Sequence, residues 1–306
     1  MTSAFRGVIP PVVVPLTADQ KLDVPSFERS INRMIDAGVD GLFFLGSSGE
    51  VAFSTDARRE EILTEGVRIV AGRVPTLAGI IDMQPNRMVE HGKVAKEIGV
   101  DALVATAPFY ALGGPANIER SFRVIRENVD LPLFAYDLPV CVHVKLDGGM
   151  LMRLGNEGVL AGVKDSSGDD VSFRMLCQMN KDAGHPLELL TGHEVVVDGA
   201  YLSGGDGSVP GLGNVAPEPY VKQWKAAQQG DWETVRAIQD DMAKLMRIAM
   251  VVKGVQGFGA GVGAFKTALQ LLGVFETNTM PEPVITLEGE NVDAVAAVLR
   301  EAGMLA

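Results

Sequence analysis

Eight short apolar runs alternate with amphipathic segments along the first 229 residues of the chain. Each run is nearly continuous rather than alternately polar and apolar, which is typical of parallel strands buried on both faces. The predicted strands occupy residues 7–14, 42–45, 75–81, 103–106, 132–136, 159–164, 187–191 and 207–210. Eight strand–helix units in succession predict an α/β fold of the (β/α)8 TIM-barrel type.

The joints between these units repeat in sequence. Residues 37–41 read AGVDG, residues 98–102 read IGVDA, and residues 204–207 read GGDG. In each joint a glycine ends a helix and a short link leads into the next strand. The competing fold is a doubly wound open sheet, which a G-x-G-x-x-G motif after the first strand would favour. The sequence has no such motif there.

The pattern changes after Gly230, where only helical spacing continues. We predict helices over residues 232–252, 265–272 and 291–302, with a glycine-rich link over residues 254–263. The chain therefore divides into a catalytic barrel, residues 1–229, and a C-terminal α-helical domain, residues 230–306. The methionine-rich faces of these last helices favour a core or a subunit interface over a cofactor site.

Composition excludes several classes of function. The formal net charge of −12 argues against nucleic acid or an anionic membrane as a partner. No apolar stretch approaches the roughly 18 residues of a membrane span, and residues 1–11 lack the apolar region of a signal peptide. We therefore expect a cytoplasmic protein.

Metal chemistry has little support in the sequence. The two cysteines do not form a CxxC motif, and the four histidines are scattered without HxH or HExxH spacing. We predict no metal and no other cofactor, so the reactive group has to come from a side chain.

Lys164 is the strongest candidate for that group. It ends the apolar run 159–164 and precedes a polar turn that contains Gly168. The carboxyl ends of barrel strands are where such folds keep their active sites. Partial desolvation there favours the neutral amine, which can attack a carbonyl and form a Schiff base. Alternatively, the stem of Lys164 packs on the strand while its ammonium reaches solvent.

The end of the second predicted strand carries polar groups suited to a keto acid. The second predicted strand ends in Gly46, Ser47, Ser48, Gly49 and Glu50, whose hydroxyls and open backbone N–H groups can cradle a carboxylate. An ordinary serine- and glycine-rich turn explains the same residues, and Glu50 is better interpreted as structural.

Two phenols follow neighbouring strands. Tyr136 ends the fifth predicted strand, and Tyr110 follows the fourth. Either phenol can carry protons to and from a substrate held at Lys164. The alternative for each is an aromatic ring that caps the core of the barrel.

The last two strand ends offer binding groups for the rest of a substrate. The seventh predicted strand ends in Thr191, Gly192, His193 and Glu194, which can contact substrate hydroxyls. The turn 207–214, in which we assign Val209 to the binding site, can hold an anion. Alternatively, Thr191 caps the next helix, and glycine flexibility alone explains the turn.

Four motifs in order resemble the family of dihydrodipicolinate synthase and N-acetylneuraminate lyase, which are class I aldolases that act on pyruvate. They are GSSGE at 46–50, YDLP at 136–139, GVK at 162–164 and FKTALQLLG at 265–273. The resemblance covers essentially the whole chain.

The resemblance implies roles for individual residues. Lys164 would form the imine with pyruvate, Ser47 and Ser48 would hold its carboxylate, and Tyr136 would move the proton. Ser47 would link Tyr136 to Tyr110 of a neighbouring subunit. The implied assembly is a homotetramer of two tight dimers, with the lysine imine in place of a cofactor.

Three departures from the family bear on the second substrate. Cys141 stands where the synthase branch has an arginine for a carboxylate, Asp137 replaces a common asparagine, and His193–Glu194 only partly matches the sialic-acid branch. We therefore predict a lyase for a 2-keto-3-deoxy sugar acid or a related 2-keto acid.

Three alternatives remain open. The same imine can serve a 4-hydroxy-tetrahydrodipicolinate synthase, which condenses pyruvate with aspartate semialdehyde, or a keto-acid dehydratase. A barrel that binds a keto acid without turnover is the third. Lys145 could take over the carboxylate-binding role of the missing arginine.

Overall fold

Parallel strands form the centre of the protein, whose computed structural model describes residues 5–306. The eight strands found in that range are β1 Gly7–Val8, β2 Leu42–Phe44, β3 Thr76–Gly79, β4 Ala102–Thr106, β5 Leu133–Asp137, β6 Gly162–Asp165, β7 Glu188–Thr191 and β8 Gly207–Ser208. They pair in the order β1-β8-β7-β6-β5-β4-β3-β2, and every named pair is parallel. Residues 1–4, which belong to the segment 1–11 considered for a signal peptide, lie outside the described residues.

A bridge between the two ends of this order closes the ring. Pro11 pairs with Phe43 of β2 in parallel. The N–H of Val12 donates to the carbonyl of Phe43 at 2.8 Å, and the N–H of Phe43 donates to Pro10 at 3.0 Å. The predicted (β/α)8 barrel is confirmed, and the open doubly wound alternative is wrong.

The first strand is shorter than the sequence indicated. We expected residues 7–14, whereas β1 is Gly7–Val8, followed by the single bridge at Pro11. Pro10 and Pro11 have no N–H to donate to a neighbouring strand, so a continuous ladder cannot form through them.

Helices surround the barrel and continue beyond it. In the described part of the chain they are α1 Val24–Asp36, α2 Asp56–Val70, α3 Pro85–Ile98, α4 Pro115–Asn128, α5 Pro139–Val142, α6 Gly148–Asn156, α7 Asp170–Asp182, α8 Val197–Leu202, α9 Pro217–Gln228, α10 Trp232–Leu245, α11 Phe258–Leu271 and α12 Glu290–Glu301.

Local sequence explains the ends of several of these helices. The Asp23 carboxylate accepts the N–H of Ser26 at the start of α1, and the hydroxyl of Thr55 accepts the N–H of Arg58 at the start of α2. Gly99 ends α3 with φ of 99°, a conformation that glycine adopts without a steric penalty. The repeated glycine joint of the sequence is therefore a repeated helix stop.

Side chains alternate between two buried layers along each strand. In β4, Ala102 and Val104 belong to a cluster inside the barrel, whereas Leu103 and Ala105 belong to the layer between strands and helices. The same alternation places Val163 outside and Lys164 inside. Apolar side chains thus fill the barrel interior between its amino end and Lys164.

The C-terminal helices differ from expectation at two points. The predicted helix 232–252 ends at Leu245 and continues as a 3₁₀ helix, Met246–Ala249, a tightening that is common at the carboxyl ends of α-helices. The predicted link 254–263 is largely helical, since α11 begins at Phe258. The division into domains 1–229 and 230–306 stays a prediction.

Close packing explains the glycines of α11. A Cβ on Gly259 would lie 2.8 Å from Val255 Cγ1, and one on Gly263 would lie 3.3 Å from Leu287. Glycine therefore serves close approach at these positions rather than chain flexibility. Within residues 5–306, no helix has the length and apolar character needed to cross a membrane.

Candidate active site

Lys164 lies inside the barrel at the carboxyl end of β6, and only 5% of it is exposed. Its Nζ is 4.0 Å from the centre of the Tyr136 ring and 4.9 Å from that of Phe43. Tyr136 is its register neighbour on β5. The ammonium thus faces two aromatic rings instead of solvent, and ring faces attract a cation.

The end of β7 leaves room for this lysine because residue 192 is a glycine. A Cβ on Gly192 would lie 3.2 Å from Lys164 Cε and 2.1 Å from Ser166 Oγ. Ser166 Oγ can rotate away, because the N–H bond of Ser166 to Asp137 holds only its backbone, but Lys164 is enclosed by the two rings. Any larger side chain at position 192 therefore displaces the lysine.

The loop after β2 brings two hydroxyls to the same mouth. Ser47 Oγ lies 3.3 Å from the hydroxyl of Tyr136, close enough for a hydrogen bond. The loop is tight, because a Cβ on Gly46 would lie 2.6 Å from Phe43 and one on Gly49 would lie 2.9 Å from the N of Leu45. The glycines of the GSSGE motif thus fix where the serines lie.

Ser48 meets the loops after β7 and β8 at Gly211. A Cβ on Gly211 would lie 3.3 Å from Ser48 Oγ and 3.2 Å from Glu194 Oε1. The carboxylate of Glu194 also accepts the N–H of Leu212 at 2.6 Å. Burial raises the pKa of Glu194 to about 7, against the opposing effects of the Leu212 N–H and of the charge on Lys164. A carboxyl that titrates near neutrality therefore lies beside Ser48.

Three further residues predicted for the site, at the ends of β7 and β8, have different surroundings: Thr191, His193 and Val209. The hydroxyl of Thr191 accepts the N–H of His193 at 3.1 Å, so it caps a turn and not the next helix as the alternative had it, and by strand alternation its side chain points out of the barrel. His193 Nδ1 lies 3.1 Å from Asp170 at the rim. Val209 packs in the interior cluster.

Tyr110 does not join this group within a single chain. It is 89% exposed and has φ of 69°, the left-handed region that residues other than glycine rarely adopt. Leu112 in the same loop is also largely exposed. Two large apolar side chains therefore face solvent in the isolated chain.

Sequence reasoning missed two lysine pairings. Lys145 pairs with Asp137 and Asp165, the residues that follow Tyr136 and Lys164. Lys266 of α11 pairs with Glu50 of the loop after β2. A charged residue inside the apolar segment FKTALQLLG was the available signal for Lys266, although the sequence does not name its partner.

One group of metal-ligand type occurs among the described residues: His185, Glu188 and Asp206. It lies at the amino ends of β7 and β8, away from the mouth that holds Lys164. Arg6 already forms ion pairs with Glu188, at 2.9 Å, and with Asp206. We interpret the group as a charge network at the amino-end face of the barrel, which contributes to stability and not to catalysis in such folds.

Fold and site together define a class. A (β/α)8 barrel with a buried lysine at the carboxyl end of β6, beside a tyrosine and a serine-glycine loop, is the arrangement that the four sequence motifs led us to expect. The model of the dihydrodipicolinate synthetase family matches residues 4–302, and the chain belongs to this family. It is a lyase of the aldolase type, as predicted.

Relatives within the family carry different names. The chain is 30% identical to the "Probable 2-dehydro-3-deoxy-D-pentonate aldolase YjhH" of Escherichia coli strain K12, over 98% of each chain. It is also 30% identical to a 4-hydroxy-tetrahydrodipicolinate synthase of Phenylobacterium zucineum, again over 98% of each.

A solved structure shows the same architecture. YagE, a prophage protein of the dihydrodipicolinic acid synthase family from Escherichia coli K12, was solved in complex with pyruvate. The TM-score is 0.92 at 27% sequence identity, covering 99% of this chain and 100% of that one.

Proposed function

We propose that the protein cleaves a 2-keto-3-deoxy sugar acid to pyruvate and an aldehyde through an imine on Lys164. The observation that carries this proposal is the position of Lys164, buried in the barrel mouth with its Nζ against the Tyr136 ring. A relative named as a 2-dehydro-3-deoxy-D-pentonate aldolase, and one solved with pyruvate, support it.

The chemistry follows from that amine. The amine of Lys164 attacks the C2 carbonyl of the keto acid, Tyr136 gives a proton to the hydroxyl of the resulting carbinolamine, and loss of water leaves a protonated imine. The C3–C4 bond then breaks, its electron pair moves toward the iminium nitrogen, and the C4 hydroxyl gives up its proton as the aldehyde leaves. The remaining enamine takes a proton at C3, and water hydrolyses the imine to release pyruvate and Lys164.

Tyr136 is the proposed proton carrier for these steps. Its ring lies beside the lysine, and its hydroxyl lies 3.3 Å from Ser47 Oγ, which can hold it in one orientation. Ser48, with the open backbone of Gly46, would bind the carboxylate of the keto acid. Gly192 and Val209 would shape the space around the imine.

The second half of the substrate would meet polar groups rather than a cation. Cys141 has neither the charge nor the fork of an arginine, and Lys145 is already paired with Asp137 and Asp165. Glu194 lies near Ser48, His193 lies at the rim, and both can hydrogen-bond sugar hydroxyls. The hydroxyl of Thr191 already accepts the N–H of His193, so Thr191 would border the substrate through its backbone only.

Assembly is part of the proposal. We expect a homotetramer in which Tyr110 reaches the site of a neighbouring subunit, because in the single chain it is 89% exposed and held in a left-handed conformation. Val171, Met175 and Met179 also form an exposed apolar stripe at four-residue spacing on α7. Both surfaces are suited to contacts between copies of this chain.

A substrate panel tests the function. Pyruvate release from 2-keto-3-deoxygluconate and 2-keto-3-deoxypentonate is compared with condensation of pyruvate and aspartate semialdehyde, each as kcat/KM. We expect cleavage of a sugar acid to have the higher value, and an added chelator to leave it unchanged. A higher value for the semialdehyde would establish the synthase alternative, loss of water from a keto acid the dehydratase, and binding without turnover a non-catalytic barrel.

A further inference from the structure

Two buried carboxylates lie side by side directly behind the proposed catalytic pair. Tyr136 pairs with Lys164 in the register of β5 and β6, and the next pair in the same ladder is Asp137 with Asp165. Strand alternation turns Tyr136 and Lys164 into the barrel and Asp137 and Asp165 away from it. Both aspartates are buried.

Lys145 is the cation that meets both of them. It precedes α6, its Nζ pairs with Asp137, and the same Nζ lies 3.3 Å from Asp165 Oδ2. The side chain of Lys145 is 31% exposed, so its stem is largely enclosed while its ammonium spans the two strand ends. The N–H of Leu146 also donates to Asp137 at 3.2 Å, which ties this segment to the end of β5.

Without this cation the two carboxylates would repel each other. Burial raises the pKa of Asp137, the charge on Asp165 raises it further, and the hydrogen bond and charge of Lys145 oppose both effects. Burial also opposes the charge on Lys145, but its hydrogen bonds and charge interactions with the two aspartates raise the pKa of that ammonium overall. The three groups are mutually dependent, so loss of the cation leaves like charges close together in a poorly solvated place.

We propose that Lys145 is a positioning residue: by neutralising Asp137 and Asp165 it holds the ends of β5 and β6 together and thereby fixes Tyr136 against Lys164. This inference rests on the proposed function, since it concerns the geometry of the pair that would carry the imine chemistry. It also gives Lys145 a role other than that of a receptor for a substrate carboxylate.

The pairing connects two observations that were separate in the sequence. Asp137 replaces a common asparagine of the family, and a neutral amide at this position would need no cation, because it can donate to the neighbouring carboxylate. This chain instead places a second negative charge beside Asp165 and a lysine eight residues after Asp137. A neutral side chain at position 137 should therefore make Lys145 dispensable.

The test uses three variants of the full-length protein: Lys145→Met, Asp137→Asn and the double variant. The rate of borohydride trapping with pyruvate, and the kcat and KM for sugar-acid cleavage, are measured for each. Lys244→Met is the matched control, because Lys244 also pairs with an aspartate but lies on the surface. Trapping by the unmodified protein is measured first, and its failure would count against the proposed function itself.

We expect Lys145→Met to lower kcat and the trapping rate at least tenfold. Asp137→Asn and the double variant should stay within about threefold of the unmodified protein, and Lys244→Met should be unchanged. A double variant as slow as Lys145→Met would overturn the inference. Equal increases in the KM for the sugar acid in both Lys145 variants, with kcat retained, would instead show that Lys145 binds substrate.

Discussion

Glu50 and Lys266 form an ion pair of 2.6 Å in which the two side chains are 3% and 0% exposed. Glu50 ends the serine-glycine loop after β2, and Lys266 belongs to α11 of the C-terminal helices. Lys266 also donates to the carbonyl of Thr279 at 2.9 Å. The helical extension is thus connected to the loop that presents Ser47 and Ser48.

Removing one partner of this pair should destabilise the protein strongly. Burial raises the pKa of Glu50 and lowers that of Lys266, so each charge depends on the other. We expect Lys266→Met to lower the free energy of unfolding by about 3–5 kcal/mol, measured by urea denaturation. The double variant Glu50→Met/Lys266→Met should recover most of that loss.

Lys244→Met is the control for this comparison, because its pair with Asp241 is exposed. Exposed ion pairs contribute at most about 1 kcal/mol. Equal losses of unfolding free energy in Lys266→Met and Lys244→Met would contradict the conclusion that the buried pair stabilises the protein more than the exposed pair does.

Gly192→Ala should impair imine formation without unfolding the barrel. Its methyl group would lie 3.2 Å from Lys164 Cε and 2.1 Å from Ser166 Oγ. We expect the trapping rate with pyruvate to fall severalfold, because Lys164 Cε has to shift away from the added methyl group and Nζ shifts with it relative to Tyr136. Gly199→Ala, where the added methyl meets no atom within 4 Å, should trap normally. Normal trapping by both variants would show that Lys164 tolerates displacement.

Glu194 should give the protein a distinct dependence of stability on pH. Its pKa is raised from 4.5 to about 7 in the folded state, chiefly by burial. A raised acid pKa makes ionisation costlier in the folded state, so this group lowers stability as pH rises from about 4.5 to about 7.

Comparison with Glu194→Gln isolates that effect, because other groups titrate alike in both proteins. Between pH 5 and pH 8, we expect the unfolding free energy of the unmodified protein to fall relative to the variant, by up to about 3 kcal/mol. A constant difference between the two proteins over this range would refute the raised pKa.

Tyr110→Phe tests the proposed contact between subunits. If the Tyr110 hydroxyl serves a neighbouring site, the variant should lose kcat severalfold while the KM for pyruvate changes little, because Tyr110 does not bind the keto acid. Sedimentation should show a tetramer for both proteins. A fully active monomer would rule this arrangement out.

Much of the fold could be predicted because it depends on local sequence. Apolar runs such as 42–45 and helix stops such as Gly99 act over a few residues, and each was found where it was expected. The boundaries that moved depend on tertiary contacts. The glycines of α11 resemble a flexible link until Val255, Val284 and Leu287 are seen packed against them.

The site shows the same limit. Lys164 could be singled out because a lysine at the end of an apolar run is unusual. Since that run is a barrel strand, its carboxyl end places Lys164 at the face where such folds keep their active sites. The partner of Glu50 lies 216 residues away in sequence, and the pairing of Lys145 depends on the register of β5 and β6. Only the folded chain brings these charges together.

Borohydride reduction in the presence of pyruvate, followed by mass spectrometry of the digested protein, tests whether Lys164 forms the imine. The unmodified protein and the Lys244→Met control should both carry a stable adduct on the peptide that contains Lys164. Lys164→Ala, once circular dichroism has shown that it is folded, should carry no adduct and should release no pyruvate from sugar acids. An adduct on a different lysine, or undiminished turnover by Lys164→Ala, would contradict the proposed function.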